Sequence, residues 1–99
     1  MFVRLSLSKP RPQSREQALS IEDHLLSHFV ALPGFVDGYR LEGSEYVGRV
    51  TVWESPEAAD HAANDSHTMA SRSRLIELQL PTEKDTLELS FEGSPPRRP

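Results

Sequence analysis

The stretch Val47-Gly48-Arg49-Val50-Thr51-Val52-Trp53-Glu54-Ser55-Pro56-Glu57-Ala58-Ala59 runs a strand into a capped helix with almost no loop between them. Val50 and Val52 alternate with Arg49, Thr51 and Trp53, the period of two that marks a strand with unlike faces. Ser55 then supplies a capping oxygen, Pro56 suits the first helical turn, and Glu57 complements the positive end of the helix dipole. So tight a junction in a short chain predicts helices laid on an antiparallel sheet.

Working outward, Val3, Leu5 and Leu7 alternate with Arg4, Ser6 and Ser8 in a first strand that Lys9-Pro10-Arg11-Pro12 terminates. Ser14-Arg15-Glu16-Gln17 reads as a capping box opening a helix, whose buried stripe is Ala18, Ile21, Leu25, Phe29 and Leu32. Leu32-Pro33-Gly34 stops it. Phe35 to Glu42 forms a second strand, Gly43-Ser44-Glu45 a hairpin turn, and Tyr46 to Trp53 the third strand. The second helical region carries Ala58, Ala59, Ala62 and Ala63, small enough to lie close on a sheet. A break is expected at Asn64-Asp65-Ser66, with a restart at His67 that turns Met69, Leu75 and Ile76 inward. Leu87, Leu89 and Phe91 alternate in a fourth strand after the loop from Pro81 to Asp85.

The order strand–helix–strand, twice, is the ferredoxin-like βαββαβ plan: an α+β fold with a four-stranded antiparallel sheet and both helical regions on one face. It spans one domain, residues 1–92, while 93–99 has nothing to bury and is expected to be a disordered tail. A chain this short has no further element to cover the other sheet face, which predicts a homodimer closed into an α+β barrel.

Composition narrows the functional classes. The chain has 99 residues, of which 36% are hydrophobic and 26% charged, in the ordinary globular range. A domain of this size buries roughly 60–65% of its unfolded surface, so association would help it. A net charge of −4 gives nucleic acid no general reason to bind. The opening Phe2-Val3-Arg4-Leu5-Ser6-Leu7 is too short and too alternating for a membrane span or a signal peptide. With no cysteine there is no disulfide frame, thiolate nucleophile or Cys-ligated metal, which fits a cytoplasmic protein.

Leu32-Pro33-Gly34-Phe35 after the first helix, Trp53-Glu54-Ser55 before the second, and His67 at the restart together make the sequence resemble the antibiotic biosynthesis monooxygenase family. That resemblance implies a dimeric α+β barrel. It also implies membership of a group that includes cofactor-independent monooxygenases acting on phenols, haem-degrading enzymes, isomerases of small signalling molecules and members of no known activity. Ala62 and Arg72 stand where the haem-degrading branch carries a helical Trp and a catalytic His, and the first strand has no Asn, so haem degradation is disfavoured. A helical His often seen in the family stands one residue away, at His61.

Side chains supply the candidate site. On the first and third strands Val3, Leu5, Leu7, Val50 and Val52 form aliphatic faces, which are expected to meet the helices. Arg4, Ser6, Arg49, Thr51 and Trp53 are then left for the barrel interior or a pocket mouth. Two arginines in a half-buried space are costly unless paired. One reading is an anionic or phenolic ligand stacked on Trp53 and held by Arg4 and Arg49, with Thr51 beside them. The other is pairing across the dimer with Asp37, Glu42 or Glu88. His67 is the candidate catalytic base, since a neutral imidazole removes a phenol proton near neutral pH. Its alternative role is to shape the helix restart.

His24 and His28, one helical turn apart, are spaced to share a metal, and Glu22 and Asp23 lie near. The preferred reading is two half-exposed residues on the flank of the stripe, and no metal site is assigned. Tyr39 and Tyr46 flank the hairpin. The function expected is oxidation of a small aromatic or enolisable metabolite with no bound cofactor, and the alternative is a non-catalytic small-molecule-binding or stress-associated dimer.

Overall fold

A computed structural model, which describes residues 1–97, places β1 (Phe2–Ser8), α1 (Arg15–Phe29), β2 (Phe35–Glu42), β3 (Val47–Trp53), α2 (Pro56–Ala63), α3 (Ser66–Glu77) and β4 (Leu87–Glu92) in that order. The strands form one antiparallel sheet in the order β2-β3-β1-β4. The central neighbours β1 and β3 are the strands with the strongest alternation. This is the ferredoxin-like arrangement, with three helices on one face. Gly93 to Arg97 forms neither helix nor strand, and the last two residues of the expected disordered tail lie outside the described residues.

Local chemistry accounts for the joints. Ser55 Oγ accepts the Ala58 amide at 3.1 Å and opens α2. Gly34 leaves α1 with φ at +83°, where an added Cβ would also lie 2.5 Å from that of Ala58. Asp65 caps α3, accepting the amides of His67 at 2.8 Å and Thr68 at 3.4 Å. The capping box expected at Ser14 does not form. A 3-10 turn over Pro12–Ser14 feeds α1 instead, and the Arg15 amide is satisfied by the Pro12 carbonyl. Met69, expected inward, is exposed, because α3 turns Thr68 and Leu75 to the core.

The expected faces of the sheet are reversed. Cross-strand rows Phe91–Val3–Val52, Leu89–Leu5–Val50–Tyr39 and Leu87–Leu7 lie on the side without helices. Rows containing Phe35–Trp53–Phe2, Thr51–Arg4 and Arg49–Ser6 lie beneath them. Burial follows this division: Arg49, Thr51, Trp53, Ser6 and Ser8 are buried, whereas Leu87, Leu89 and Phe91 are exposed. The helices make this the better solution. α1 brings a carboxylate for Arg49, and the alanines of α2 leave space for the indole of Trp53.

Candidate functional site

Arg49, on β3, is 6% exposed and donates through Nη1 to both oxygens of Glu22 on α1, at 3.1 and 3.0 Å. Glu22 is 1% exposed. Burial pushes its carboxyl above the ordinary range, and Arg49 offsets only part of that effect. The guanidinium also stands 5.8 Å from the centre of the Phe29 ring. Arg49 is thus paired with Glu22 rather than with the Asp37, Glu42 or Glu88 offered by the sequence. Its counter-ion is in its own chain, on the helix side.

Trp53, 2% exposed, is held edge-on by Phe29 and Phe35, with ring centres 5.5 and 5.4 Å away. Its Nε1 donates to Thr51 Oγ1 at 2.9 Å, and the Thr51 hydroxyl in turn donates to the Arg4 carbonyl at 3.5 Å. The Arg4 side chain extends beneath α2 to Asp60 Oδ1 at 3.2 Å. Glu88 of β4 pairs with Arg72 of α3 at 3.2 Å and accepts from Ser6 Oγ at 3.4 Å.

These residues surround one cavity between sheet and helices. Arg4, Arg49, Thr51 and Trp53 all line it, with Thr68 and Arg72 on the helix side. It encloses about 20 Å³, room for about one water. The four substrate-binding candidates therefore share one space. It lies under the helices rather than inside a barrel. Thr68 Oγ1 and Arg72 Nε are buried there without a hydrogen-bond partner among the described residues.

His67 does not line this cavity. It is exposed at the start of α3, its ring 4.4 Å from that of His28. His28 Nε2 is 3.1 Å from Asp65 Oδ1, though off the line a good hydrogen bond requires. Partial burial raises the Asp65 carboxyl, but His28 and the amides of His67 and Thr68 pull harder, holding it below its usual range. The chain neighbours of the two histidines, Phe29 and Thr68, line the cavity, but neither imidazole does. His24 is not drawn into this group. The carboxylates near it are engaged elsewhere, Glu22 with Arg49 and Asp23 with Arg40 at 2.8 Å. Among the described residues no group of three His, Asp or Glu is arranged to hold a metal ion, and no helix is long and apolar enough to cross a membrane. Glu22, Thr68 and Arg72 are the site residues that sequence reasoning did not select. The signal for Glu22 was a carboxylate one residue from the apolar stripe, at Ile21.

Solved structures share this architecture. Rv0793 from Mycobacterium tuberculosis superposes with a TM-score of 0.84 at 16% identity, covering 98% of this chain and 98% of that one. An antibiotic biosynthesis monooxygenase does so at 0.81 and 12% identity, covering 96% and 100%. The chain has the antibiotic biosynthesis monooxygenase fold. SnoaB, a cofactor-independent oxygenase from Streptomyces nogalater, has the same fold with a TM-score of 0.75 at 15% identity, covering 96% of this chain and 95% of that one. No protein-family model matches the sequence, and no curated protein does. At such identities an antibiotic biosynthesis monooxygenase fold is shared without its chemistry being carried across.

Proposed function

We propose that the chain is a cytoplasmic, homodimeric small-molecule enzyme that oxidises an aromatic or enolisable metabolite with O₂ and no bound cofactor. The observation supporting this is the convergence of Arg4, Arg49, Thr51 and Trp53, drawn from two strands, on one cavity with unanswered polar atoms in its wall. An oxygenase of this fold, SnoaB, makes the chemistry plausible for the scaffold. The substrate supplies the electrons. An activated CH₂ loses a proton to a base, one oxygen atom enters as C=O, and the second leaves as water with the two hydrogens. His67, exposed at the start of α3, is the base in this reading, and the arginines stabilise the anion formed.

Oxygen uptake with a hydroxylated anthrone, without added flavin, haem or metal, tests this directly. His67→Ala is expected to lower the rate about 10²–10⁴-fold. Normal turnover by His67→Ala removes the base assignment. A second reading is a non-catalytic small-molecule binder. Such a protein would show saturable protection against unfolding and no oxygen uptake.

The dimer is proposed from the open sheet face, where Leu87, Leu89, Phe91 and Tyr39 are all exposed. An isologous pairing of two such faces would bury on the order of 2,000 Å². Sedimentation at micromolar protein is expected to give twice the 11.1 kDa chain mass. A stable monomer overturns the dimer, while the cavity, which lies within one chain, stands.

A further inference from the structure

The two ends of the β1–β3 pair carry different clefts. Trp53, opposite Phe2, marks the end that holds the small interior cavity. At the other end, where Ser8 lies opposite Val47, a cleft of about 290 Å³ opens to solvent. Lys9, Pro10, Pro12, Arg15, Glu45 and Leu80 line it, and none of them lines the interior cavity. Its volume lies near the lower end of the ~300–1,000 Å³ usual for small-molecule sites. The walls are held from several sides. The Leu80 amide donates to the Lys9 carbonyl at 3.0 Å, the Arg11 amide to the Leu78 carbonyl at 2.9 Å, and the Lys9 amide to Gln79 Oε1 at 3.0 Å. Pro10 and Pro12 restrict the backbone further. Arg15 Nη2 donates to the Gly43 carbonyl at 2.6 Å and so ties the β2–β3 hairpin to the start of α1. A cleft fixed in this way loses little entropy when a ligand enters.

Its lining combines positive charge with apolar surface. Lys9 and Arg15 bring two cations, against the one carboxylate of Glu45. Arg15 is the first residue of α1, where the helix dipole disfavours a cation. It has no carboxylate partner among the described residues, and its bond to the Gly43 carbonyl leaves other donors of the guanidinium fork unused. Lys9 Nζ stands 3.6 Å from Glu83 Oε1, too far for a charge-assisted hydrogen bond, and 5.0 Å from the centre of the Tyr46 ring. Pro10, Pro12 and Leu80 supply the apolar part.

We propose that this cleft is a second ligand site, for a small organic monocarboxylate with an apolar body. Lys9 and Arg15 receive the carboxylate, and the body lies on Pro10, Pro12 and Leu80. An inorganic anion answers the cations and leaves the apolar surface wet, whereas a neutral compound does the reverse. Glu45 repels a second negative charge and so sets the preference for a monoanion. The site goes beyond the oxidation proposed above and does not depend on it.

Benzoate is titrated against the isotope-labelled full chain, with amide resonances followed residue by residue and circular dichroism confirming the fold of each variant. Saturable shifts are expected at Arg15, Ser44, Glu45 and Leu80, while the amides around Trp53 stay in place. Lys9→Gln and Arg15→Gln are each expected to weaken benzoate about tenfold, and Glu45→Gln to tighten it about threefold. Lys9→Gln leaves the tie between Arg15 and Gly43 intact, so it carries the test if Arg15→Gln loosens the hairpin. Benzyl alcohol, the neutral analogue, is expected to bind about tenfold more weakly than benzoate, and equimolar inorganic phosphate is expected not to displace benzoate. No saturable shift at millimolar benzoate, equal affinity for benzyl alcohol, displacement by phosphate, or unchanged affinity in Lys9→Gln each overturns the proposal. Failure of oxygen uptake overturns the oxygenase reading and leaves this result standing, because the two sites share no lining residue.

Discussion

Glu22→Ala is expected to lower the unfolding free energy by about 3–5 kcal/mol, because it strands the buried Arg49 guanidinium without a counter-ion. Urea denaturation with an unchanged m-value measures the loss. Replacing both partners with apolar residues, Glu22→Leu with Arg49→Met, is expected to recover most of it, since desolvating the pair offsets much of its attraction. A loss below about 1 kcal/mol for the single change would show that water or another carboxylate reaches Arg49. The pair also carries a pH signature. Burial raises the Glu22 carboxyl above its ordinary value of 4.5, so the fold favours the protonated form. Its contribution to stability is fully present below pH 4.5 and is lost as pH rises through the raised folded value. Glu22→Gln, neutral throughout, is expected to remove that slope from a stability–pH profile.

Trp53→Ala is expected to cost about 3–5 kcal/mol through lost burial and the cavity left behind. The indole is wedged between Phe29 and Phe35, two rigid rings that cannot collapse fully into its place. Thr51 loses the donor to its hydroxyl as well. The vacated space is indole-shaped, so added indole is expected to restore stability, by about 2.7 kcal/mol at a hundredfold excess over its Kd. Thermal unfolding with and without indole reads both effects. A large loss without rescue would mean that the site collapses instead of opening, and a small loss would mean that Trp53 is not part of the packed wall.

These two residues show how far one-dimensional pattern carries. The junction from Val47 to Ala59, the bounds of β2, and the helix break after Ala63, expected through Ser66 and found at 64–65, rest on alternation, capping and turn chemistry, which act over a few residues. All were therefore readable from the sequence by itself, as was the βαββαβ order and hence the sheet plan. Alternation also established that Arg49, Thr51 and Trp53 share one face. It could not establish which face the helices cover, because both faces of β1 and β3 are tolerable in isolation. That choice belongs to the tertiary structure. Glu22, 27 residues from Arg49, supplies the charge that makes a buried arginine acceptable, and Phe29 and Phe35 close around Trp53. The same reason separates His67 from the cavity and brings Arg72 and Thr68 into it. Helix phase relative to the sheet is set by packing between elements distant in the chain, and local spacing holds no record of it.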